Sequence, residues 1–216
     1  MREGTKAGAA LDGYRKAPPR PADWVVHQNV PPEWSAVPQQ SLIEIVAKGC
    51  LEDPWRPALI IEDGLTITRR ELLDRSQRFA GYLRSRLKPG DNVAVMLDNR
   101  VEFMIVLFAL IANRATLVSI APTAQEFDAG HIVADASPVL AICGKPQLPV
   151  MEAVKSRSPT LKEIIVVDGE EPDALAAYDA APFDFTTAEC KRDDVVTVYY
   201  TSGTTGAPKG CMLHHG

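Results

Sequence analysis

The chain has 216 residues, of which 46% are hydrophobic and 24% charged, and these ordinary globular values exclude a wholly disordered, collagen-like or disulfide-stapled chain. Its formal net charge of −5 leaves no basic excess for binding nucleic acid. No secretory signal is visible, the longest apolar run (103–112) is too short for a membrane span, and the four scattered cysteines favour reduced thiols, so we expect a cytoplasmic protein.

Residues 1–40 are expected to form an irregular leader, because six prolines in this stretch prevent a regular helix. Trp24 and Trp34 would be unusual in a free tail. We therefore expect them to anchor the leader on the main body of the protein. A ligand platform built from these tryptophans is the alternative interpretation.

Regular patterns begin at residue 41. Ser41 and Thr68 each stand three positions before a glutamate, the spacing of a capping box, and so predict two helix starts. Between these helices, two short apolar stretches at 58–62 and 65–68 flank an Asp-Gly pair and predict a β-hairpin. The second helix is expected to end at the Lys-Pro-Gly-Asp sequence at 88–91.

Strands and helices then alternate, with buried strands marked by short apolar runs and helices by longer periodic ones. The predicted strands cover 93–97, 116–120, 139–143, 164–167 and 195–201, and the predicted helices cover 101–112, 123–136 and 148–155. Asn99 and Thr123 are expected to cap the first two of these helices. The alternation predicts an α/β fold, with a mostly parallel sheet and helices on both faces.

One stretch, residues 168–194, breaks the alternation and contains nine acidic residues. Such a concentration of carboxylates usually forms a solvated surface. A metal site would need ligand spacing that these residues lack. We therefore predict a surface excursion without a metal site.

The segment YYTSGTTGAPKG, residues 199–210, carries the strongest chemical signal. A strand leads into a loop that contains three hydroxyl groups, several glycines and a lysine. Glycines let successive N–H groups approach an anion, hydroxyls add donors, and the lysine supplies positive charge, which together suit a polyphosphate such as that of ATP. A Ser/Thr/Gly-rich linker is the alternative, but apolar strands on both sides of the loop disfavour it.

The loop differs from a Walker A motif. Pro208 stands where that motif needs its second glycine, and Lys209 is followed by glycine rather than by Ser or Thr. Residues 211–213 also predict a second strand instead of a helix, so no helix dipole contributes to the anion site. The loop is therefore expected to connect two strands.

The same segment resembles the phosphate-loop signature of the adenylate-forming superfamily, which includes acyl-CoA synthetases, aryl-CoA ligases, firefly-type luciferases and peptide-synthetase adenylation domains. Residues 201–210 match the signature Thr-Ser-Gly-Thr/Ser-Thr-Gly-x-Pro-Lys-Gly throughout. Upstream, residues 65–72 and 89–99 are similar to the family's Leu-Thr-Tyr-x-Glu-Leu and Gly-Asp-x-Val-Ala elements. Residues 112–115, Ala-Asn-Arg-Ala, stand where the family has Lys-Ala-Gly-Ala and lack its glycine.

The resemblance covers residues 41–216 and implies part of the N-terminal AMP-binding domain of the adenylate-forming fold, preceded by the leader at 1–40. It also implies the residues that hold the β- and γ-phosphates of ATP: Thr201, Ser202, Gly203, Thr204, Thr205, Gly206 and Lys209. His215 matches a histidine that commonly follows the loop, although His214 here occupies the preceding Ser/Thr position. The resemblance assigns no catalytic residue and no metal ligand to this chain.

By resemblance, the chain is expected to take part in ATP-dependent activation of a carboxylic acid, with Mg²⁺ at the phosphates, followed by thioester formation with CoA as in an acid-thiol ligase. The alternatives are an adenylation domain that serves a carrier protein and a catalytically inactive truncated remnant. The family's later motifs for adenine, ribose and the adenylation lysine are absent from the sequence. We therefore expect a missing C-terminal part of the same enzyme, and a 216-residue chain that is catalytically incomplete by itself.

Overall fold

The computed structural model describes residues 40–60, 66–168, 171–201 and 208–215. The helices are α1 (Leu42–Glu52), α2 (Arg69–Leu83), α3 (Val101–Ala112), α4 (Glu126–Ala136), α5 (Leu148–Lys155) and α6 (Pro172–Asp179). The strands are β1 (Pro57–Ile60), β2 (Thr66–Thr68), β3 (Asn92–Met96), β4 (Thr116–Ser119), β5 (Leu140–Cys143), β6 (Glu163–Val166), β7 (Val195–Thr201) and β8 (Lys209–His214).

Strands β3 to β8 form one six-stranded sheet in the order β6-β5-β3-β4-β7-β8. β3 pairs in parallel with β4 and β5, β4 with β7, and β5 with β6, whereas β8 is antiparallel to β7. The prediction of a mostly parallel α/β sheet is confirmed. Because the parallel strands point the same way, the loops that follow β3 to β7 all lie at one edge, which we call the carboxyl edge.

Helices cover both faces of the sheet, and β3 shows how its sequence permits this. Val93 and Val95 belong to the core formed with α1, α2, α3 and α6, whereas Ala94 and Met96 belong to the core formed with α4 and α5. All four side chains are at most 1% exposed. Burial on both faces explains why this strand is continuously hydrophobic, and each large apolar side chain contributes roughly 1.5–3 kcal/mol.

Two of the predicted helix caps are confirmed in full. At the start of α1, the N–H of Glu44 donates to Oγ of Ser41 at 3.4 Å, and the N–H of Ser41 donates to the Glu44 carboxylate at 2.6 Å. Thr68 and Glu71 make the same reciprocal pair at the start of α2, at 3.2 and 2.8 Å. These bonds satisfy backbone donors that the first helical turn leaves without partners.

The caps predicted at Asn99 and Thr123 are wrong. The N-cap of α3 is Arg100 and that of α4 is Gln125, and neither side chain accepts a capping hydrogen bond from the backbone of its helix. Glu102, the expected partner of Asn99, instead accepts a hydrogen bond from Nε of Arg100 at 2.8 Å. The Glu102 carboxylate is therefore bonded to the Arg100 guanidinium instead of to the backbone N–H of Asn99, as a capping box would require.

The acidic stretch at 168–194 does not form the solvated excursion that its composition predicted. It contains α6, and both Ala177 and Phe185 are fully buried. The backbone N–H of Phe183 donates to the carbonyl of Gln77 on α2 at 2.8 Å. The apolar residues between the carboxylates pack into the core, which a count of charges does not detect.

The turn between α3 and β4, where the sequence lacks the glycine implied by the resemblance, places Arg114 at φ 56°. A residue with a Cβ is strained in this left-handed region, which glycine adopts without steric cost. Nε and Nη2 of Arg114 donate to the two oxygens of Asp194 at 2.7 and 3.0 Å, and these bonds hold the pKa of that carboxyl below its ordinary value. An ion pair therefore fixes a turn that glycine would make freely.

Several predicted features lie outside the described residues: the leader up to residue 39 with Trp24 and Trp34, the Asp-Gly turn at 63–64, and the loop at 202–207. The strands β1 and β2, which flank residues 61–65, pair in antiparallel fashion. Anchoring of the leader and the domain boundary near residue 40 stay predictions. Among the helices of the described part of the chain, none is long and apolar enough to cross a membrane.

Candidate functional site

The predicted anion-binding loop leaves the carboxyl edge from β7 and returns through β8. Thr201 is the last residue of β7 and Lys209 is the first residue of β8, and the two residues pair across the hairpin. Ligands of open α/β sheets bind at this edge. The structure thus brings two predicted site residues together at the mouth of the loop. The other predicted loop ligands fall outside the described residues: Ser202, Gly203, Thr204, Thr205 and Gly206.

Thr201 and Lys209 are both exposed. Within the described ranges, the ammonium of Lys209 makes no ion pair. A hydroxyl and an ammonium at the mouth of a glycine-rich loop supply donors that a bound anion can accept from. The arrangement is therefore chemically suited to a phosphate chain.

Gly210, the last glycine of the motif, has a packing role that the motif alone does not suggest. A Cβ at this position would lie 2.9 Å from Cγ1 of Val198 and 3.2 Å from Cζ of Tyr200. The missing side chain therefore makes room for the ring of Tyr200. That ring's hydroxyl donates to Asp135 on α4 at 2.6 Å, and burial together with this carboxylate raises the pKa of Tyr200. Gly210 thus leaves space for the ring whose hydroxyl links β7 to α4.

His215 lies beyond the other end of β8, away from the loop. It is six positions from Lys209, which at about 3.3 Å per residue places it roughly 20 Å away. Its Nδ1 accepts a hydrogen bond from the backbone N–H of Leu42, at the start of α1, at 3.1 Å. Burial lowers the pKa of His215, although Asp194 and Glu44 act in the opposite direction, and this favours the neutral acceptor form. The structure does not bring His215 together with Thr201 and Lys209.

A charged network that the sequence analysis missed occupies the carboxyl edge beyond β3, β5 and β6. Arg100, which follows β3, forms an ion pair with Asp168, which follows β6 and has a side chain only 17% exposed. The backbone N–H of Lys145, which follows β5, donates to the same carboxylate. Nζ of Lys145 lies 2.6 Å from Oε1 of Glu171. Asp168 therefore ties three strand ends together, instead of being part of a solvated stretch.

Gly144 allows this network to close. A Cβ there would lie 2.7 Å from Oε1 of Gln147 and 3.0 Å from Oδ2 of Asp168. The sequence could have revealed this network through the places of Arg100, Gly144 and Asp168, each of which comes shortly after a predicted strand. The carboxyl ends of parallel strands meet at one edge of the sheet, so residues at these places are expected to lie close together.

A cleft of about 720 Å³ opens beside Arg100 at the carboxyl edge. It lies between the β1–β2 pair and the first turn of α3, and its lining includes Leu59, Ile67 and Phe103 together with Arg75. β3 is two strands from β7 in the sheet, so at about 4.8 Å per strand the cleft begins roughly 10 Å from the end of β7. Its volume is in the range of small-molecule sites.

The residues that the structure describes contain no group of three or more His, Cys, Asp or Glu that could hold a metal ion. Asp168 and Glu171 at the carboxyl edge already pair with Arg100 and Lys145. Mg²⁺ needs several oxygen ligands in near-octahedral geometry. This network therefore does not fit a Mg²⁺ site.

Comparison with known proteins gives a consistent family assignment. The family model described as "AMP-binding enzyme" matches residues 47–216. Benzoate–CoA ligase of Thauera aromatica is 27% identical over 194 residues, which cover 88% of this chain and 37% of that protein. Fatty acid–[acyl-carrier-protein] ligase ScoC of Streptomyces coeruleorubidus is 32% identical over 179 residues, which cover 82% of this chain and 33% of that protein. The chain spans about a third of the length of these curated relatives.

The fold is also found in a solved structure. The inhibitor-bound N-terminal domain of FACL13 from Mycobacterium tuberculosis has a TM-score of 0.72 and 26% sequence identity to this chain. The match covers 82% of this chain and 45% of that one. The expectation that the chain forms part of such an N-terminal domain is confirmed.

Proposed function

Because the chain belongs to the AMP-binding enzyme family, we propose that its β7–β8 hairpin holds the phosphates of ATP while a carboxylic acid is activated. The observation that carries this proposal is the pairing of Thr201 with Lys209 at the carboxyl edge, where the glycine-rich loop begins and ends. Hydroxyl and ammonium donors at one point suit the adjacent oxygens of a phosphate chain.

In the proposed reaction, the carboxylate of the acid attacks the α-phosphate of ATP and pyrophosphate leaves. Thr201 and Lys209 would hold the β- and γ-phosphates from the two ends of the loop, which positions the leaving group and neutralises its charge. The proposed phosphate ligands are Thr201, Ser202, Gly203, Thr204, Thr205, Gly206 and Lys209. His215 is not in this set, because β8 carries it about 20 Å from the loop mouth.

Mg²⁺, which the resemblance implies, supplies further neutralisation of phosphate charge when bound with ATP. No residue in the described ranges is assigned to it, since the carboxylates of the edge network are already paired.

We propose CoA as the acceptor of the activated acid, which makes the whole enzyme an acid-thiol ligase. The name of the benzoate–CoA ligase relative supports this acceptor. A carrier protein is the second candidate, and the name of the relative ScoC, a ligase for an acyl-carrier protein, favours it. Both acceptors require the same first step, so the role proposed for the hairpin does not depend on the choice between them.

Calorimetric titration of the purified 216-residue chain with ATP and Mg²⁺ tests the role of the hairpin. Lys209→Ala removes a charge-assisted hydrogen bond to phosphate, so we expect the dissociation constant for ATP to rise about tenfold or more. The matched control is Lys162→Ala, which removes an exposed lysine just before β6, at the opposite edge of the sheet. Equal affinities of the two variants, or no binding of ATP to the unmodified chain, would contradict the proposal.

A further inference from the structure

The last two residues of β7 extend past the end of its neighbour β4. β7 pairs with β4 as far as Tyr199, which lies opposite Ser119. Its pairing with β8 continues through Tyr200 to Thr201, which lies opposite Lys209. The two predicted phosphate donors at the mouth of the loop are therefore supported within the sheet by β7 and β8, and pairing with β4 does not fix their direction.

The side chain of Tyr200 supports this overhang from the face of the sheet that α4 covers. Its ring packs against the core on that face, and its hydroxyl donates to Oδ2 of Asp135 on α4 at 2.6 Å. Hydrogen bonds to a carboxylate are shorter and stronger than those between neutral groups. Burial and this carboxylate raise the pKa of Tyr200, so the hydroxyl keeps the proton that it donates.

The acceptor of this hydrogen bond is itself held in place. The backbone carbonyl of Ala136, next to Asp135, accepts a hydrogen bond from Nδ2 of Asn92 at 2.8 Å. Asn92 is the first residue of β3, an interior strand of the sheet. α4 also buries Ile132 and Val133 in the core between this helix and the sheet. The hydroxyl of Tyr200 is thus tied through α4 to the middle of the sheet.

We propose that Tyr200 and Asp135 form a positioning pair that holds the end of β7. Tyr200 directly precedes Thr201, and it lies opposite Gly210, which directly follows Lys209. A rotation of the backbone at Tyr200 would therefore move the hydroxyl of Thr201 and the ammonium of Lys209 together. This role rests on the phosphate binding proposed for the hairpin, and it gives Tyr200 itself no contact with ATP.

Gly210 is the position on β8 that lets this pair form. A Cβ there would lie 3.2 Å from Cζ of Tyr200 and 3.4 Å from its hydroxyl oxygen. A side chain at this position would press on the end of the ring that bonds Asp135. The absence of a side chain at Gly210 therefore leaves the hydroxyl free to reach α4.

Two phenylalanine variants test the role of the hydroxyl in the full 216-residue chain. Tyr200→Phe keeps the ring and removes the donor. Tyr199→Phe is the matched control, because Tyr199 is one residue earlier on β7, faces the opposite side of the sheet and is 40% exposed. In calorimetric titration with ATP and Mg²⁺, we expect Tyr200→Phe to raise the dissociation constant about threefold or more and Tyr199→Phe to leave it unchanged.

Two substitutions of Asp135 separate the hydrogen bond from the charge. Asp135→Asn and Asp135→Ala both remove a negative charge that would repel a polyphosphate, but only asparagine keeps an oxygen that can accept from Tyr200. We expect the alanine variant to bind ATP about threefold more weakly than the asparagine variant. Loss of a purely structural contact would lower the free energy of unfolding, which urea denaturation measures, without changing the affinity of the folded chain.

Tryptic cleavage between Lys209 and Gly210 reports on the mouth of the loop in the absence of ATP. Local opening exposes this bond, so Tyr200→Phe and Asp135→Ala should be cleaved there about threefold faster than the unmodified chain, and Tyr199→Phe at the unmodified rate. Without ATP binding by the unmodified chain, the proposed function fails, while the cleavage rates still decide the positioning role. Equal cleavage of the two phenylalanine variants, or equal affinities where ATP binds, would overturn that role.

Discussion

Arg114 makes the turn into β4 with a positive φ of 56°, at the position where the resemblance implies glycine. A left-handed conformation costs a residue with a Cβ about 1 kcal/mol or more. Two contacts hold it there: the paired hydrogen bonds to Asp194, and the backbone carbonyl of Arg114, which accepts from the N–H of Gly90 at 2.8 Å. The side-chain pair thus offsets the strain of the backbone.

Substitutions of Arg114 separate the two effects. Arg114→Ala and Arg114→Gly both remove the ion pair with Asp194, but only alanine keeps the strain of a Cβ at positive φ. We therefore expect Arg114→Ala to have a free energy of unfolding about 1 kcal/mol lower than that of Arg114→Gly. Urea denaturation of both variants measures the difference, and an alanine variant as stable as the glycine variant would show that the turn is not strained.

Helix starts illustrate how side chains compete for local hydrogen bonds. Ser41 and Thr68 cap their helices because each glutamate three positions later is free to bond back to the cap. At α3 the corresponding carboxylate is that of Glu102, and it accepts a hydrogen bond from Nε of Arg100 instead. A capping-box pattern therefore predicts a cap only where no nearby cation competes for the acid.

Alanine substitutions at two threonines test this account of the caps. Thr68→Ala removes an observed cap of α2, so we expect the free energy of unfolding to fall by about 1 kcal/mol. Thr123→Ala removes a threonine that α4 does not use as its cap, and its effect should stay within about 0.5 kcal/mol. Thermal and urea unfolding measure both changes, and similar losses for the two variants would refute the assignment of Gln125 as the N-cap of α4.

The sheet topology keeps two charged groups apart at the carboxyl edge. The Arg100–Asp168 pair joins the ends of β3 and β6, with the Lys145 backbone of β5 between them. The proposed phosphate loop belongs to β7, which β4 separates from β3. The acidic side chain of Asp168 is thus neutralised by a cation at a distance from the loop, where it does not repel a bound polyphosphate.

We expect the purified 216-residue chain to bind ATP without completing adenylation. The motifs that the resemblance implies for adenine, ribose and the adenylation lysine are absent from its sequence, so the phosphates would be held without the groups that orient the α-phosphate. Exchange of labelled pyrophosphate into ATP, with benzoate or a fatty acid present, measures the reaction, and an active CoA ligase serves as the positive control. Acid-dependent exchange above the acid-free blank would disprove this expectation.

Most helices and strands from residue 41 onward are predictable, because apolar periodicity and breaker residues act over a few neighbouring positions. The helix at 101–112 and the strand at 195–201 have the bounds that the sequence predicts. The prediction for the stretch at 168–194 was wrong because Ala177 and Phe185 are buried by packing that involves α2 and α1, which precede them by many residues. The prediction counted the acidic residues of this stretch and did not consider the apolar side chains between them, which are the ones that pack into the core.

The sequence by itself determined the alternation of strands and helices, and the motif at 201–210 that identifies the family, because both depend on residues close together in the chain. Only the tertiary structure decided which distant side chains meet. It paired Arg100 with Asp168 and placed His215 against α1 rather than beside the loop. It also packed the ring of Tyr200 where a side chain at Gly210 would lie. These choices follow from strand order and direction in the sheet, which local sequence patterns do not encode.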